Sequence, residues 1–165
     1  MRWEVNRRSS MRLKILWPGK TRNKEIGRLE EFYLRRINQL EKCELIETKE
    51  ARGIEERFAE KIMKIEAQGL EKHIGDDYII CLSDKGKEMS SEEFARYLEE
   101  RASLTPRVVT FVVGGFLGLE ERFLKKAHFL LSLSRMTFSH ELVRLLLLEQ
   151  IYRALAIMKG SHYVK

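Results

Sequence analysis

Cysteine is scarce in this chain of 165 residues, which holds only Cys43 and Cys81. Two thiols make no disulfide framework, and both fall in apolar, strand-like runs where buried, reduced cysteines are common. No stretch approaches the ~20 consecutive apolar residues that a bilayer span needs. The four leucines at 145–148 are cut off by Arg144 and Glu149. The first ten residues, MRWEVNRRSS, have no apolar core and do not read as a secretory signal. The four histidines and two cysteines show no metal-ligand spacing, so no metal is expected. The bias of a disordered chain is missing as well. A hydrophobic content of 44% with 34% charged residues is that of an ordinary globular protein, long enough for one domain with a real core. The default expectation is a cytoplasmic protein without a membrane anchor.

What is present in excess is positive charge, and it is unevenly placed. The net charge is +6, and residues 1–40 hold 11 Lys or Arg against 4 Glu. A basic first quarter on an otherwise balanced domain points to a polyanion such as nucleic acid. A solvated basic helix is the plain alternative.

The chain is organised around residues 107–123, RVVTFVVGGFLGLEERF. The β-branched run 108–113 reads as a central strand buried on both faces. Gly114, Gly115 and Gly118 then break it, and Glu120 and Glu121 open a helix with acid in its first turn. Strand, glycine turn and helix form the half-motif by which α/β proteins bring backbone amides to a ligand, although a plain tight turn has the same look.

Residues 1–10 are polar and aperiodic and read as a flexible extension, with Met11 a natural start for a single domain over 11–165. The alternating RLKILW is a first strand. Ile26, Leu29, Phe32, Tyr33 and Ile37 follow at helical spacing among arginines and lysines, giving a helix over 22–38. Residues 43–48 are a second strand. Ile54, Phe58, Ile62 and Ile65 mark one face of a helix that Gly69 stops. Residues 78–82 are a third buried strand, and Ser83, Asp84, Lys85, Gly86 and Lys87 a loop. Ser90 or Ser91 caps a helix to about Arg101, with Glu93 in capping-box spacing to Ser90. Alternation of this kind predicts an α/β fold with a mostly parallel sheet flanked by helices. After a short helix over 120–127 and a strand over 129–133 comes a polar loop, then a last helix from Ser139 or His140 to about Met158. That helix is apolar all round, so it must be buried on more than one side. One side fits the sheet; a second subunit is the favoured partner for the other.

The last sixty residues carry more specific signs. GGFLGLE, the loop LSLSRMTFSHELVR, and LLLEQIYRALAI with a short tail holding Tyr163 resemble the SPOUT-class RNA methyltransferases. Among these they are similar to the bacterial family that methylates N3 of a pseudouridine in 23S ribosomal RNA, and the similarity covers essentially 11–165. It implies an α/β knot, with a C-terminal trefoil, a homodimer, and 23S rRNA in the large subunit or assembled ribosome as partner. It also implies S-adenosylmethionine as cofactor, held by Leu82, by Gly114 and Gly115, and by Ser134, Arg135, Met136, Thr137, Phe138 and Ser139. Glycines there would let main chain approach the ligand, and Met136 and Phe138 are candidates for an adenine slot, with core packing the plain alternative.

The activated methyl group leaves the protein to align the acceptor nitrogen and favour loss of its proton. His140 is a candidate base, and equally a helix-start hydrogen-bonding residue. Arg144, one turn on, and Arg153 are assigned to phosphate or uracil-oxygen contacts, since a guanidinium is no base at neutral pH. The family tail ends in tyrosine then histidine, whereas here His162 precedes Tyr163, so either His162 substitutes for the usual tail histidine or that role is lost. Two other classes compete: a generic nucleotide-binding α/β protein, and a non-catalytic RNA-binding module. GGFLGL matches neither a GxGxxG nor a GxxxxGK spacing, and a binding module alone leaves the cofactor loops unexplained.

Overall fold

The computed structural model describes residues 11–161, so the 1–10 extension and the tail residues His162 and Tyr163 lie outside the described residues. Five strands, β1 (Arg12–Pro18), β2 (Cys43–Thr48), β3 (Tyr78–Glu88), β4 (Val108–Val112) and β5 (Phe129–Ser132), form one sheet in the order β2-β1-β4-β3-β5. Every pairing is parallel. The expected α/β architecture is therefore present, with β4 at its centre.

Both faces of the sheet are covered because the strands are apolar on both. Leu13, Ile15 and Trp17 of β1 point to one face and Leu16 to the other, and all four are fully buried. On the first face lie α1 (Lys24–Leu40), α3 (Ser91–Ala102) and α5 (His140–Met158), through Ile37, Phe94, Leu98, Leu147 and Ile151. On the second lie α2 (Ala59–Glu71) and α4 (Glu121–Lys126), through Ala67, Leu70 and Phe123 against Leu16, Cys81 and Val112. Local chemistry sets the helix starts. Asn23 accepts from Ile26 N at 3.0 Å, and Ser90 and Glu93 form the reciprocal box that their spacing announces. Burial raises both thiols to about 12, so Cys43 and Cys81 stay protonated within the core.

Three local expectations are corrected. Gly69 does not end α2; the helix runs through it to Glu71, and its backbone there passes close to Lys49 and Thr48. The buried face of α2 is Ile62, Glu66, Ala67 and Leu70, while Phe58 precedes the helix and Ile65 is exposed. Residues 83–87 are not a free loop. Leu82 and Lys87 both pair with Leu131, so the polar stretch is a bulge within β3. A methyl group on Gly86 would meet the Leu130 and Leu131 backbones at 2.7 Å, which is why glycine stands where the strand closes again.

Helix α5 is flanked by α1 and α3 as well as the sheet. At 100° per residue, Arg144, Leu147, Leu148, Ile151, Ala154 and Leu155 fall on its inner half, and all are buried. Leu142, Leu145 and Leu146 fall on the outer half and are only half-buried. Internal packing thus accounts for half of this apolar helix. Next to its outer half stand the exposed Phe32 and the half-buried Tyr33 and Tyr152, with Arg36 placed over the Phe32 and Tyr152 rings at 4.6 and 5.4 Å.

Candidate functional site

The carboxyl ends of β3, β4 and β5 come together in a cleft of about 440 Å³. Three segments build it. The first is Leu82 and the β3 bulge with Ser83, Asp84 and Lys85. The second is the glycine turn after β4. Gly118 N donates to Gly115 O at 2.9 Å, and Gly118 has φ +83°, so the chain reverses tightly. The third is the β5–α5 loop, which ties itself: Ser132 Oγ donates to Ser134 O at 3.0 Å, and Met136 N donates to Ser134 Oγ at 3.0 Å. Ser139 then caps α5 by accepting from Leu142 N at 3.3 Å.

The sequence-derived candidates sort cleanly on this frame. Leu82, Gly114, Gly115, Ser134, Met136, Thr137, Phe138 and His140 line the cleft. Arg135 and Ser139 do not: Arg135 is exposed, 3.8 Å from Glu88, and Ser139 is the helix cap. The glycines are also needed within the protein itself. A methyl group on Gly114 would meet the Gly118 carbonyl carbon at 2.5 Å, and one on Gly115 would meet Glu66 Oε1 at 2.9 Å. Their missing side chains make room for the turn and for α2.

His140 is half-buried at the start of α5. Burial, and then the Arg144 cation, hold its imidazole below the ordinary range, so the ring is neutral at pH 7 and able to accept a proton. Arg144 is 1% exposed and is corrected from a nucleic-acid contact to an internal clamp. Its Nη2 donates to Pro18 O at 2.6 Å, and its Nη1 to Gly19 O at 3.1 Å and Thr21 Oγ1 at 3.2 Å. Glu141 fastens the same β1–α1 loop by accepting from Arg22 N at 2.7 Å and Asn23 N at 3.1 Å. Arg153 pairs with Glu149 at 2.5 Å and lies thirteen residues from His140, roughly 20 Å along the axis. Within one subunit it is not part of the cleft.

Sequence reasoning missed Lys85 and Phe116, which also line the cleft, and the carboxylate beneath it. Glu66 is 6% exposed, accepts from Ala51 N at 3.3 Å through Oε2, and has no hydrogen-bond partner for Oε1 among the described residues. Burial raises its pKa. The signal was there: Glu66 sits four residues from both Ile62 and Leu70, at an apolar-face position. The cleft interior offers backbone, three serines and apolar walls, a setting for a neutral, flat ligand. Among the described residues no helix is long and apolar enough to cross a membrane.

The family model described as "Predicted SPOUT methyltransferase" matches residues 11–163. A protein of Thermodesulfovibrio yellowstonii named "Ribosomal RNA large subunit methyltransferase H" is 42% identical over 92% of this chain and 97% of its own. Proteins of the same name from Streptococcus uberis and Carboxydothermus hydrogenoformans are each 38% identical over 94% of this chain and all of theirs. The solved structure described as "Probable Methyltransferase" from Bordetella pertussis superposes with a TM-score of 0.55 at 15% identity, covering 88% of this chain and 95% of that one. A probable methylase family protein of Haemophilus influenzae gives 0.53 at 14% identity, over 93% and 70%. Those two likenesses concern the fold alone. With a family match that spans the sheet, the cleft and α5, and relatives this similar over nearly their whole length, the chain belongs to the SPOUT methyltransferase family.

Proposed function

We propose that this enzyme transfers the methyl group of S-adenosylmethionine to N3 of a pseudouridine in bacterial 23S ribosomal RNA, acting as a cytoplasmic homodimer on the large subunit or the assembled ribosome. The observation that carries the reading is the cleft. Its position at the ends of β3, β4 and β5 joins the three segments that the family resemblance assigns to the cofactor.

The residues present fit that group. A neutral adenosine needs backbone partners and an apolar slot, and the interior supplies Gly114, Gly115, Leu82, Leu131 and Phe138 without a buried cluster of charge. The cofactor, when bound, supplies an activated methyl group. This chain's residues then have two tasks. The rigid turns hold the ligand and the base in line. The neutral His140 imidazole at the cleft wall takes the imide proton.

Three further parts of the reading have support of different kinds. The half-buried outer half of α5 suits a second subunit, which would bring Arg153 towards a cleft it does not reach within one chain, and the tail that holds His162 and Tyr163 with it. The knot expected of the class is supported by a strand order in which the C-terminal β5 returns beside β3 and α5 crosses back to α1. The relatives' name and the basic first quarter support ribosomal RNA as substrate.

Titration calorimetry with S-adenosylmethionine tests the cofactor, and mass mapping of 23S rRNA from a strain lacking the gene tests the target. Absence of cofactor binding, or an unchanged methylation pattern, overturns the proposal.

A further inference from the structure

Of all large apolar side chains among the described residues, the two most exposed are Met136 at 75% and Phe116 at 56%. Both line the same cleft. A folded chain gains by covering such groups, and exposed apolar side chains gathered at a cleft mark a binding surface. Neither sits on a loose loop. Phe116 is held in the turn closed by the Gly118 N to Gly115 O bond, and Met136 by its N–H to Ser134 Oγ. Phe116 has no aromatic partner among the described residues. Lys85, exposed on the β3 bulge, lines the same cleft with Asp84 beside it, and has no ion pair among the described residues.

We propose that Phe116 and Met136 form an apolar clamp for the nucleobase to be methylated, with Lys85 on a neighbouring phosphate. This rests on the reading of the protein as an RNA methyltransferase. An enzyme that acts on a base must take it out of its stack, and an unstacked base finds its replacement on an aromatic face. Other occupants fit less well. A ligand enclosed in the cleft is held by the buried lining, Val113, Gly114, Gly115, Leu131 and Ser132, whereas these two side chains direct most of their surface outwards. A second copy of the chain has the broader apolar outer half of α5 to cover. A flat base with an adjacent phosphate matches one ring, one thioether and one lysine.

The test is steady-state methyl transfer to ribosomes from a strain lacking the gene, with cofactor affinity measured separately by calorimetry. Phe116→Ala and Met136→Ala lower kcat/KM for ribosomes, Phe116→Ala by roughly tenfold or more, the effect of removing one base–aromatic stack. Phe116→Tyr restores the rate to within about threefold, since it keeps the face. Phe116→Leu, which keeps apolar bulk and loses the face, behaves like alanine. Cofactor affinity stays within about twofold in the Phe116 variants, and Lys85→Gln lowers the slope of log affinity against log salt by about 1. Normal kcat/KM in Phe116→Ala, full activity in Phe116→Leu, or a loss of cofactor affinity in Phe116→Ala overturns the clamp alone. A wild-type protein that methylates no ribosomal RNA overturns the clamp and the functional reading together.

Discussion

The Arg144 guanidinium lies over the Trp17 ring, 4.8 Å from its centroid, and donates to the carbonyl of the next residue, Pro18. One buried cation thereby fixes the end of β1 to the first turn of α5, where His140 faces the cleft. Glu30, buried nearby, accepts from the same Thr21 hydroxyl that Arg144 contacts. Burial, only partly offset by Thr21 and Arg144, raises the Glu30 pKa.

Arg144→Ala should therefore destabilise the fold by about 3–5 kcal/mol, the usual effect of breaking a buried, hydrogen-bonded charge. Arg144→Lys should recover less than half of that, because an ammonium has neither the fork nor the flat face. Urea denaturation measures both, and a lysine variant of wild-type stability would refute the clamp.

His140→Gln should lower methyl transfer by about 10²–10⁴, the range for a positioned base. The wild-type rate should fall only at pH below 6.5, because the lowered His140 pKa keeps the ring neutral above it. An unfolded chain takes up this proton near pH 6.5 and the folded one at lower pH, so stability is present above 6.5 and is lost as pH falls. The glutamine variant should lack the acid limb in both profiles; an unchanged pH–rate curve excludes His140 as the base.

Gly115→Ala should disturb the glycine turn through Glu66, at a cost of about 1–3 kcal/mol. Glu66→Ala in the same chain should relieve much of it, with a coupling of about 0.5–3 kcal/mol in a double-mutant cycle. Strict additivity would show that the two residues do not meet.

Arg153→Ala, and truncation after Gly160, should keep cofactor binding and strongly lower methyl transfer if the site is shared between subunits. Mixing the truncated protein with Ser134→Trp, which fills the cleft, should then regain activity in heterodimers. Mixed dimers that form yet stay inactive, or an active monomer, would exclude the shared site.

The sequence by itself determined the strand and helix alternation, the caps at Ser90 and Ser139, and the glycine turn after β4. Those features are local: β-branched runs, a glycine turn and a serine-rich loop impose their conformations within a few residues. Only the tertiary structure decided what depends on distant partners. Ser83 to Lys87 has the composition of a loop, and becomes a bulged strand because β5 offers it a pairing edge. Arg144 has the look of a phosphate contact, and is buried because the carbonyls of Pro18 and Gly19, over 120 residues earlier, turn towards it. Gly115 marks a turn in the sequence, and the carboxylate of Glu66 stands beneath it because α2 packs there. Where a side chain points is settled by packing across the sheet, and no spacing along the chain encodes it.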